Sequence, residues 1–285
     1  MTAGAVLVIA LSVASTLAAG LASDFAGLRR ALATRATWAA LAGNLVVVPL
    51  LAWLVLPSLV SGPAAIGLLL VAAAPGGGIG PLLALLGRGD APLASALFLV
   101  LSLAGTVVAL AVTLVLDTRV ADMLRAAAFV AGSALAPLVV GIVVNRYAPR
   151  VARAALPWAS RLGALLLVAT VLWFSIKHGR NLSAQVLGAA GMLAVASAFV
   201  GWLATRAATP DRAVTVAVVE ISLVRNVALS LVVVTGLGGA TAALMSVLTY
   251  ALVMLVGGGL LAAFARRRKI TSGLMQPAAA TSITF

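Results

Sequence analysis

The stretch AAAPGGGIGP, residues 72–81, interrupts an apolar run that is otherwise long enough to cross a membrane. It holds two prolines and four glycines within ten residues. Proline removes a backbone donor from a helix, and a glycine in a helix interior costs about 1 kcal/mol relative to alanine. The stretch therefore predicts two half-helices joined by unwound backbone. Such backbone is tolerated at membrane depth only where it is buried in protein or lines a cavity.

The composition around this stretch is that of a multispanning membrane protein. The 285 residues are 64% hydrophobic and 9% charged, whereas about a quarter of the residues of a soluble domain are charged. Only helices and closed barrels span a bilayer, and the long apolar blocks show no strand-like alternation. We therefore predict an all-α polytopic protein with the lipid bilayer as its surroundings. The absence of cysteine excludes thiolate metal sites, and the single histidine, His178, cannot build a histidine site.

Nine transmembrane helices are predicted along the chain. They cover residues 4–22, 36–57, 63–87, 91–116, 123–145, 157–176, 182–205, 210–236 and 240–264. Of the nineteen lysines and arginines, fourteen fall on one side of this topology, four on the other, and Arg225 within a span. By the positive-inside rule, the C-terminus lies in the cytoplasm and the N-terminus outside, as in a bacterial inner membrane. The same distribution explains the net charge of +13 without a nucleic-acid partner.

A second irregular stretch, VEISLVRNVALSLVV, occupies residues 219–233 of the eighth predicted span. It places Glu220 and Arg225 five residues apart, or about 140° around a continuous helix, so they would not face each other. Unwinding around Ser222 would let them converge. The third and eighth spans, five apart, are both irregular, which suggests an inverted repeat. Broken helices at matching positions of inverted halves are typical of a transporter's midplane binding site.

Three segments resemble the bile acid:sodium symporter family and its bacterial organic-anion transporters. They are ASDFAGLRRAL (22–32), APGGGIGPLLALLGRGDAPLASAL (74–97) and the stretch at 219–233. The resemblance implies one transporter domain over residues 1–268, followed by a disordered cytoplasmic tail at 269–285. It implies two crossing broken helices in a core bundle (36–116 and 182–264), with a panel bundle (4–22 and 123–176) beside it. It also implies secondary active transport of small or amphipathic organic anions by alternating access, usually with sodium.

The resemblance also implies a site at the crossing. Glu220 and Asn44 stand where the family has sodium ligands, whereas Gly80-Pro81, Ala94, Phe98, Val224 and Arg225 replace other ligands. Because arginine stays charged in proteins, we hypothesise that the Glu220–Arg225 pair replaces at least one sodium ion. The residues expected to line the cavity are Asn44, Pro75, Gly76, Gly77, Gly78, Gly80, Ser222 and Asn226.

Several alternatives stay open at this point. The charged pair could be a salt bridge between half-helices, Arg225 could bind the substrate's acid group, and Glu220 could carry a proton. A proton-coupled transporter and an uncoupled facilitator or channel are therefore the rival functions. An intramembrane enzyme has less support, because the only acid within a predicted span core is Glu220. No organic cofactor is predicted, and the sequence leaves the substrate, the direction of transport and the oligomeric state undetermined.

Overall fold

The computed structural model describes residues 3–22, 29, 31–116, 128, 132–133, 136–178, 183–206, 208 and 211–273. Over these residues the regular elements are helices, as predicted. They are α1 (Ala3–Leu21), α2 (Arg35–Leu59, with a π-helical turn at Gly43–Val47), α3 (Gly62–Ala73), α4 (Gly80–Leu86), α5 (Ala91–Leu116), α6 (Ala136–Tyr147), α7 (Pro149–His178), α8 (Ala184–Arg206), α9 (Arg212–Leu223), α10 (Val227–Gly236) and α11 (Thr241–Gly273).

Five of these helices, α2, α5, α7, α8 and α11, are long and apolar enough to cross a membrane. Four shorter helices, α1, α3, α6 and α10, are apolar as well. The five tryptophans, Trp38, Trp53, Trp158, Trp173 and Trp202, lie on the exposed surface with many leucines and valines, which suits contact with lipid. The all-α membrane fold is confirmed, and the count of nine spans stays a prediction because most of residues 117–135 lie outside the described part.

The last helix is longer than predicted. The sequence predicts a span that ends near residue 264 and a disordered tail from 269, but α11 continues to Gly273. Arginine and lysine are good helix formers. The run of basic residues at 266–269 therefore extends the helix. Residues 274–285 of the predicted tail lie outside the described residues.

The first break is where the sequence predicts it. α3 ends at Ala73 and α4 begins at Gly80, with Pro81 at the start of α4, where its missing N–H is not needed. Gly76 has a φ of +83°, which only glycine adopts without strain, and a Cβ there would lie 2.6 Å from the backbone nitrogen of Ser102. The proline and glycine run thus ends one half-helix and starts the next.

The second break is present but lies two residues beyond the predicted position. Ser222 is still helical; α9 ends at Leu223 and α10 begins at Val227. No proline or glycine interrupts the chain here. The new helix begins because the side chain of Asn226 accepts a hydrogen bond from the N–H of Leu229 at 3.0 Å, as an N-cap does.

The two breaks cross and pair through their backbones. Pro75 and Arg225 form an isolated antiparallel bridge. The N–H of Asn226 donates to the carbonyl of Ala74 at 2.8 Å, and the N–H of Gly77 donates to the carbonyl of Val224 at 3.1 Å. An unsatisfied backbone group in the membrane costs several kcal/mol. Each unwound stretch therefore supplies the backbone partners that the other one needs.

The helices around this crossing pack in two groups. α1 packs mainly against α6 and α7, and a Cβ on Gly20 of α1 would collide with the Leu138 carbonyl of α6. α8 packs mainly against α9 and α2 and also contacts α11. The apolar core surrounds α10, which is buried along most of its length.

Gly77→Ala tests the crossing directly. The new Cβ would collide with the carbonyl oxygen of Arg225 and lie 2.7 Å from Cγ1 of Val224, so the paired segments would have to separate. We expect a loss of roughly 3 kcal/mol or more in the free energy of unfolding. Gly259→Ala on α11 is the control, because no heavy atom lies within 4 Å of its added Cβ and alanine favours the helix. Thermal unfolding in detergent measures both variants, and equal melting temperatures would contradict the prediction.

Candidate functional site

The π-helical turn in α2 leaves a backbone carbonyl free at the site. The N–H of Val48 donates to the carbonyl of Gly43, five residues earlier, instead of to Asn44. The next nitrogen that could reach Asn44 belongs to Pro49, which has no N–H. The carbonyl of Asn44 therefore has no donor within α2. Such π turns are frequent at functional sites.

Arg225 uses that carbonyl. Its Nη1 donates to the carbonyl oxygens of Asn44 at 3.3 Å and of Ala72 at 3.4 Å. Its Nη2 donates to the Ser197 hydroxyl of α8 at 3.2 Å. The guanidinium is thus held by oxygens from three helices, and Arg225 is only 1% exposed. Ala72 lies in the last turn of α3, where the helix dipole favours a positive charge.

Tyr250 completes the surroundings of Arg225. Its hydroxyl, on α11, donates to the carbonyl of Leu223 at the end of α9, at 2.8 Å. The same hydroxyl lies beside the Arg225 guanidinium and Ser197. The tyrosine is fully buried and its hydroxyl satisfies one of the carbonyls that the break leaves without a helical donor.

Asn44 and Ser222 lie together behind the crossing. The side-chain nitrogen of Asn44 donates to the Ser222 hydroxyl at 2.8 Å and to the carbonyl of Ala40 at 2.8 Å. Its side-chain oxygen has no hydrogen-bond partner among the described residues. This contact ties α2 to α9 immediately before the break.

The structure does not bring Glu220 and Arg225 together. Because α9 stays helical through Leu223, Glu220 remains within that helix, whereas Arg225 lies in the break and binds Asn44, Ala72 and Ser197. Neither carboxylate oxygen of Glu220 has a hydrogen-bond partner within the described residues, although the residue is fully buried. Oε2 lies near α11 and two apolar side chains: a Cβ on Gly258 would lie 3.3 Å from it and would also touch Leu83 and Leu223. The predicted pair is therefore two separate charged groups.

A cavity of about 460 Å³ lies in front of the crossing. α1 and α7 form one wall, and the two breaks with α4 and α5 form the other. Of the predicted lining residues, Gly77, Gly78, Asn226 and also Arg225 reach it, whereas Asn44, Pro75, Gly76, Gly80, Ser222 and Glu220 do not. The N–H groups of Gly77 and Gly80 donate to backbone carbonyls, so they are not free donors for an anion.

The sequence does not single out Ser95, Arg161 or Ser197 for the site, and it favours a packing role for Ser15, on a mildly polar face of the first span. Ser15, Ser95 and Arg161 line the cavity, and Ser197 binds Arg225. In the predicted topology Arg161 is one of the fourteen basic residues that fall on the same side. Ser197 is a single hydroxyl in an apolar helix, and no sequence pattern separates such a residue from one that packs against a neighbour.

The oxygens around the crossing do not suit a sodium ion at Asn44. The guanidinium of Arg225 already donates to the carbonyls of Asn44 and Ala72, and a second cation beside it would be repelled. Near Glu220, the side chains of Leu83 and Leu223 beside Gly258 are apolar and offer no ligand to a cation. Within the described residues, no group of three or more histidine, cysteine, aspartate or glutamate side chains could hold a metal ion.

Comparison with known proteins gives one match. The family model described as the Sodium Bile acid symporter family matches residues 6–185, which is more than half of the chain. No curated protein matches the sequence. The matched region contains the first break and the cavity-lining part of α7. It ends before the second break and therefore does not include Glu220 or Arg225.

Ser197→Ala should destabilise the protein through Arg225. The variant leaves one N–H of a buried cation without its acceptor, which costs about 1–3 kcal/mol. Ser58→Ala is the control, because that hydroxyl is exposed and bonds only within its own helix, so its effect should stay within about 0.5 kcal/mol. The melting temperature in detergent measures both. In an Arg225→Leu background the effect of Ser197→Ala should vanish; an undiminished effect there would show that Ser197 acts through something else.

Proposed function

The chain belongs to the sodium bile acid symporter family, and from this premise we propose that it is a secondary active transporter of small or amphipathic organic anions. Transport would proceed by alternating access. The observation that supports this most is the cavity that separates two groups of helices and reaches the crossing of two broken helices. Binding sites at such crossings are typical of secondary transporters. The family consists of transporters, so no enzymatic activity is proposed.

The cavity supports an assignment of the side from which it is reached. Along α7 its lining runs from Leu156 to Leu167, which is about 17 Å of helix, or half of the hydrocarbon core. Leu156, Leu85 and Ala22, at one end, adjoin the loops that carry most of the basic residues. By the positive-inside rule that end is cytoplasmic. The chain would then lie in an inner membrane, with its N-terminus outside and this conformation facing inward.

The two groups of helices would be the moving parts. α1, α6 and α7 would form the panel, and α2–α5 with α8–α11 would form the core. The core is joined across its two breaks by backbone hydrogen bonds, which favours motion as one body. The panel contacts the core where α1 meets α5 and α10 and where α7 meets α11. A rocking motion about these contacts would close the cavity on one side and open it on the other.

In the proposed mechanism, Arg225 takes the place of a mobile cation. Its guanidinium binds two backbone carbonyls and one hydroxyl at the end of a half-helix. Transporters commonly bind Na⁺ or H⁺ with unwound carbonyls and half-helix C-termini of this kind. Because the pairing with Glu220 is not observed, the proposal rests on Arg225 alone. A permanent cation at this position makes sodium unnecessary there.

Proton coupling through Glu220 is the second candidate, favoured by one observation. Both carboxylate oxygens are buried without a partner among the described residues. An isolated ionised carboxylate in apolar surroundings costs so much free energy that such groups bind a proton or a cation instead. Binding and release of a proton at Glu220 could therefore drive transport, whereas an uncoupled facilitator would not use it.

Arg225→Gln tests whether Arg225 acts as a tethered cation, that is, as a fixed positive charge in place of a mobile ion. The variant removes the charge, so a sodium ion could bind the freed oxygens. We expect the wild type to show the same melting temperature in sodium, potassium and choline chloride at equal ionic strength, and the variant to be stabilised by sodium alone. A ligand at 100 times its Kd stabilises by about 2.7 kcal/mol. Arg153→Gln, an exposed arginine on α7, is the control. Sodium stabilisation of the wild type, or none in the variant, would count against the proposal.

Glu220→Gln distinguishes coupled from uncoupled transport. Uptake of labelled taurocholate, whose sulfonate stays ionised, would be measured in proteoliposomes with and without an inward proton gradient. If Glu220 carries the proton, the gradient should drive accumulation by the wild type, whereas the variant should exchange taurocholate without accumulating it. Asp90→Asn is the matched control, because Asp90 caps α5 through the N–H of Leu93 and asparagine caps equally well. Gradient-independent uptake by both proteins would favour the facilitator, and no uptake by either would contradict transport of this anion.

A further inference from the structure

The cavity has a marked charge bias. Its lining is largely apolar, with polar side chains at Ser15, Ser95, Ser160 and Asn226. Among the described residues that line it, two are basic, Arg161 and Arg225, and none is acidic. A cleft with low-dielectric walls and charge of one sign concentrates ions of the opposite sign. The cavity is therefore built to receive anions.

Arg225 is not the group that meets the anion. Its Nη atoms donate to Asn44, Ala72 and Ser197, and none of these three residues lines the cavity. The guanidinium thus points away from the cavity into the core. Arg225 borders the cavity, but it is only 1% exposed, so its Nη donors are not available to an anion there.

Arg161 is placed differently. It lies on α7, on the wall of the cavity opposite the crossing, and its side chain is exposed. The guanidinium carbon lies 5.5 Å from the centre of the Trp158 ring. Because Trp158 is exposed and does not line the cavity, this contact holds the guanidinium at the edge of the cavity. Contact with an aromatic face steadies a guanidinium and leaves its N–H donors, which lie in the plane, for an acid group. The fork of donors suits a carboxylate or sulfonate in two-point contact.

We propose that Arg161 binds the acid group of the transported anion. This inference rests on the proposed function and deepens it, because it names the subsite and the orientation of the substrate. The apolar body of the substrate would lie against Leu82, Leu85 and Phe98, with its far end at the crossing. Arg161 precedes Leu167, at the deep end, by six residues of helix, or about 9 Å. The substrate class is therefore an amphipathic anion with its acid group toward the cytoplasmic mouth and an apolar body of about that length.

A single introduced cysteine can report the effect of the positive charge of Arg161 on the cavity, and the experiment needs no knowledge of the substrate. The chain has no cysteine, so Ser95→Cys supplies the only thiol, on α5 across the cavity from α7. Its reaction rates would be measured with two methanethiosulfonates, the anionic sulfonatoethyl and the cationic trimethylammonioethyl reagent. The first is itself a small organic anion. The rate with the anionic reagent is divided by the rate with the cationic reagent. This ratio, compared with the same ratio for free cysteine, measures how strongly the cavity favours anions.

The expected results depend on Arg161. With Arg161 present, the ratio should exceed that of free cysteine. Arg161→Gln should lower it roughly tenfold, since one charge acts on both reagents in opposite senses. Arg161→Lys should largely retain it and Arg161→Glu should reverse it. Arg153→Gln is the control on the same helix: that side chain bonds to the carbonyl of Pro149 and does not line the cavity, so the ratio should not change.

Two outcomes would overturn the proposal for Arg161, and only the second would also count against the proposed transport function. A ratio unchanged by Arg161→Gln would show that Arg161 does not attract the anion, while the transporter proposal would stand. A thiol at position 95 that reacts with neither reagent would show that the cavity is closed to small ions from both sides. That result would remove the inward-facing cavity on which the proposed function depends.

Discussion

The pairing of two unwound backbone stretches inside a membrane is the constraint on which the rest of the structure depends. Neither break could exist alone, because lipid offers no partner to a free N–H or carbonyl group. Crossed, Ala74 and Gly77 bond with Asn226 and Val224. The crossing in turn requires a glycine at position 77, because a side chain there would collide with Arg225. Four half-helix ends then meet at the crossing, and Arg225 is held there.

The cation at this crossing follows from a chain of local causes. Pro49 has no N–H, and the π turn before it diverts the N–H of Val48 to Gly43. The carbonyl of Asn44 is left free, the end of α3 frees the carbonyl of Ala72, and the guanidinium of Arg225 binds both. A buried arginine is destabilising unless such acceptors are in place beforehand. A proline in α2 thus helps to explain an arginine nearly 180 residues later.

The sequence was sufficient for the first break and insufficient for the second. Proline and glycine change the conformation of their own backbone, so the break at 72–81 can be recognised from the local sequence alone. The unwinding at Val224–Asn226 depends on pairing with a distant segment, and the sequence placed it two residues early, around Ser222. This shift of two residues decides whether Glu220 and Arg225 form a pair. Because α9 stays helical through Leu223, the predicted pair does not form. The contact of Ser197 with Arg225 and the position of Arg161 beside the cavity depend on tertiary packing. Such packing cannot be derived from a single sequence.

A tethered cation changes what the carrier can be coupled to. A mobile ion drives transport because it binds in one state and leaves in another, so that its gradient biases the cycle. Arg225 cannot leave, and it therefore stabilises the crossing without adding energy from any gradient. In the proposed mechanism, coupling then falls to a group that can exchange its charge, and within the described crossing that group is Glu220, held in apolar surroundings away from Arg225. Either a proton moves through Glu220, or the anion moves down its own gradient.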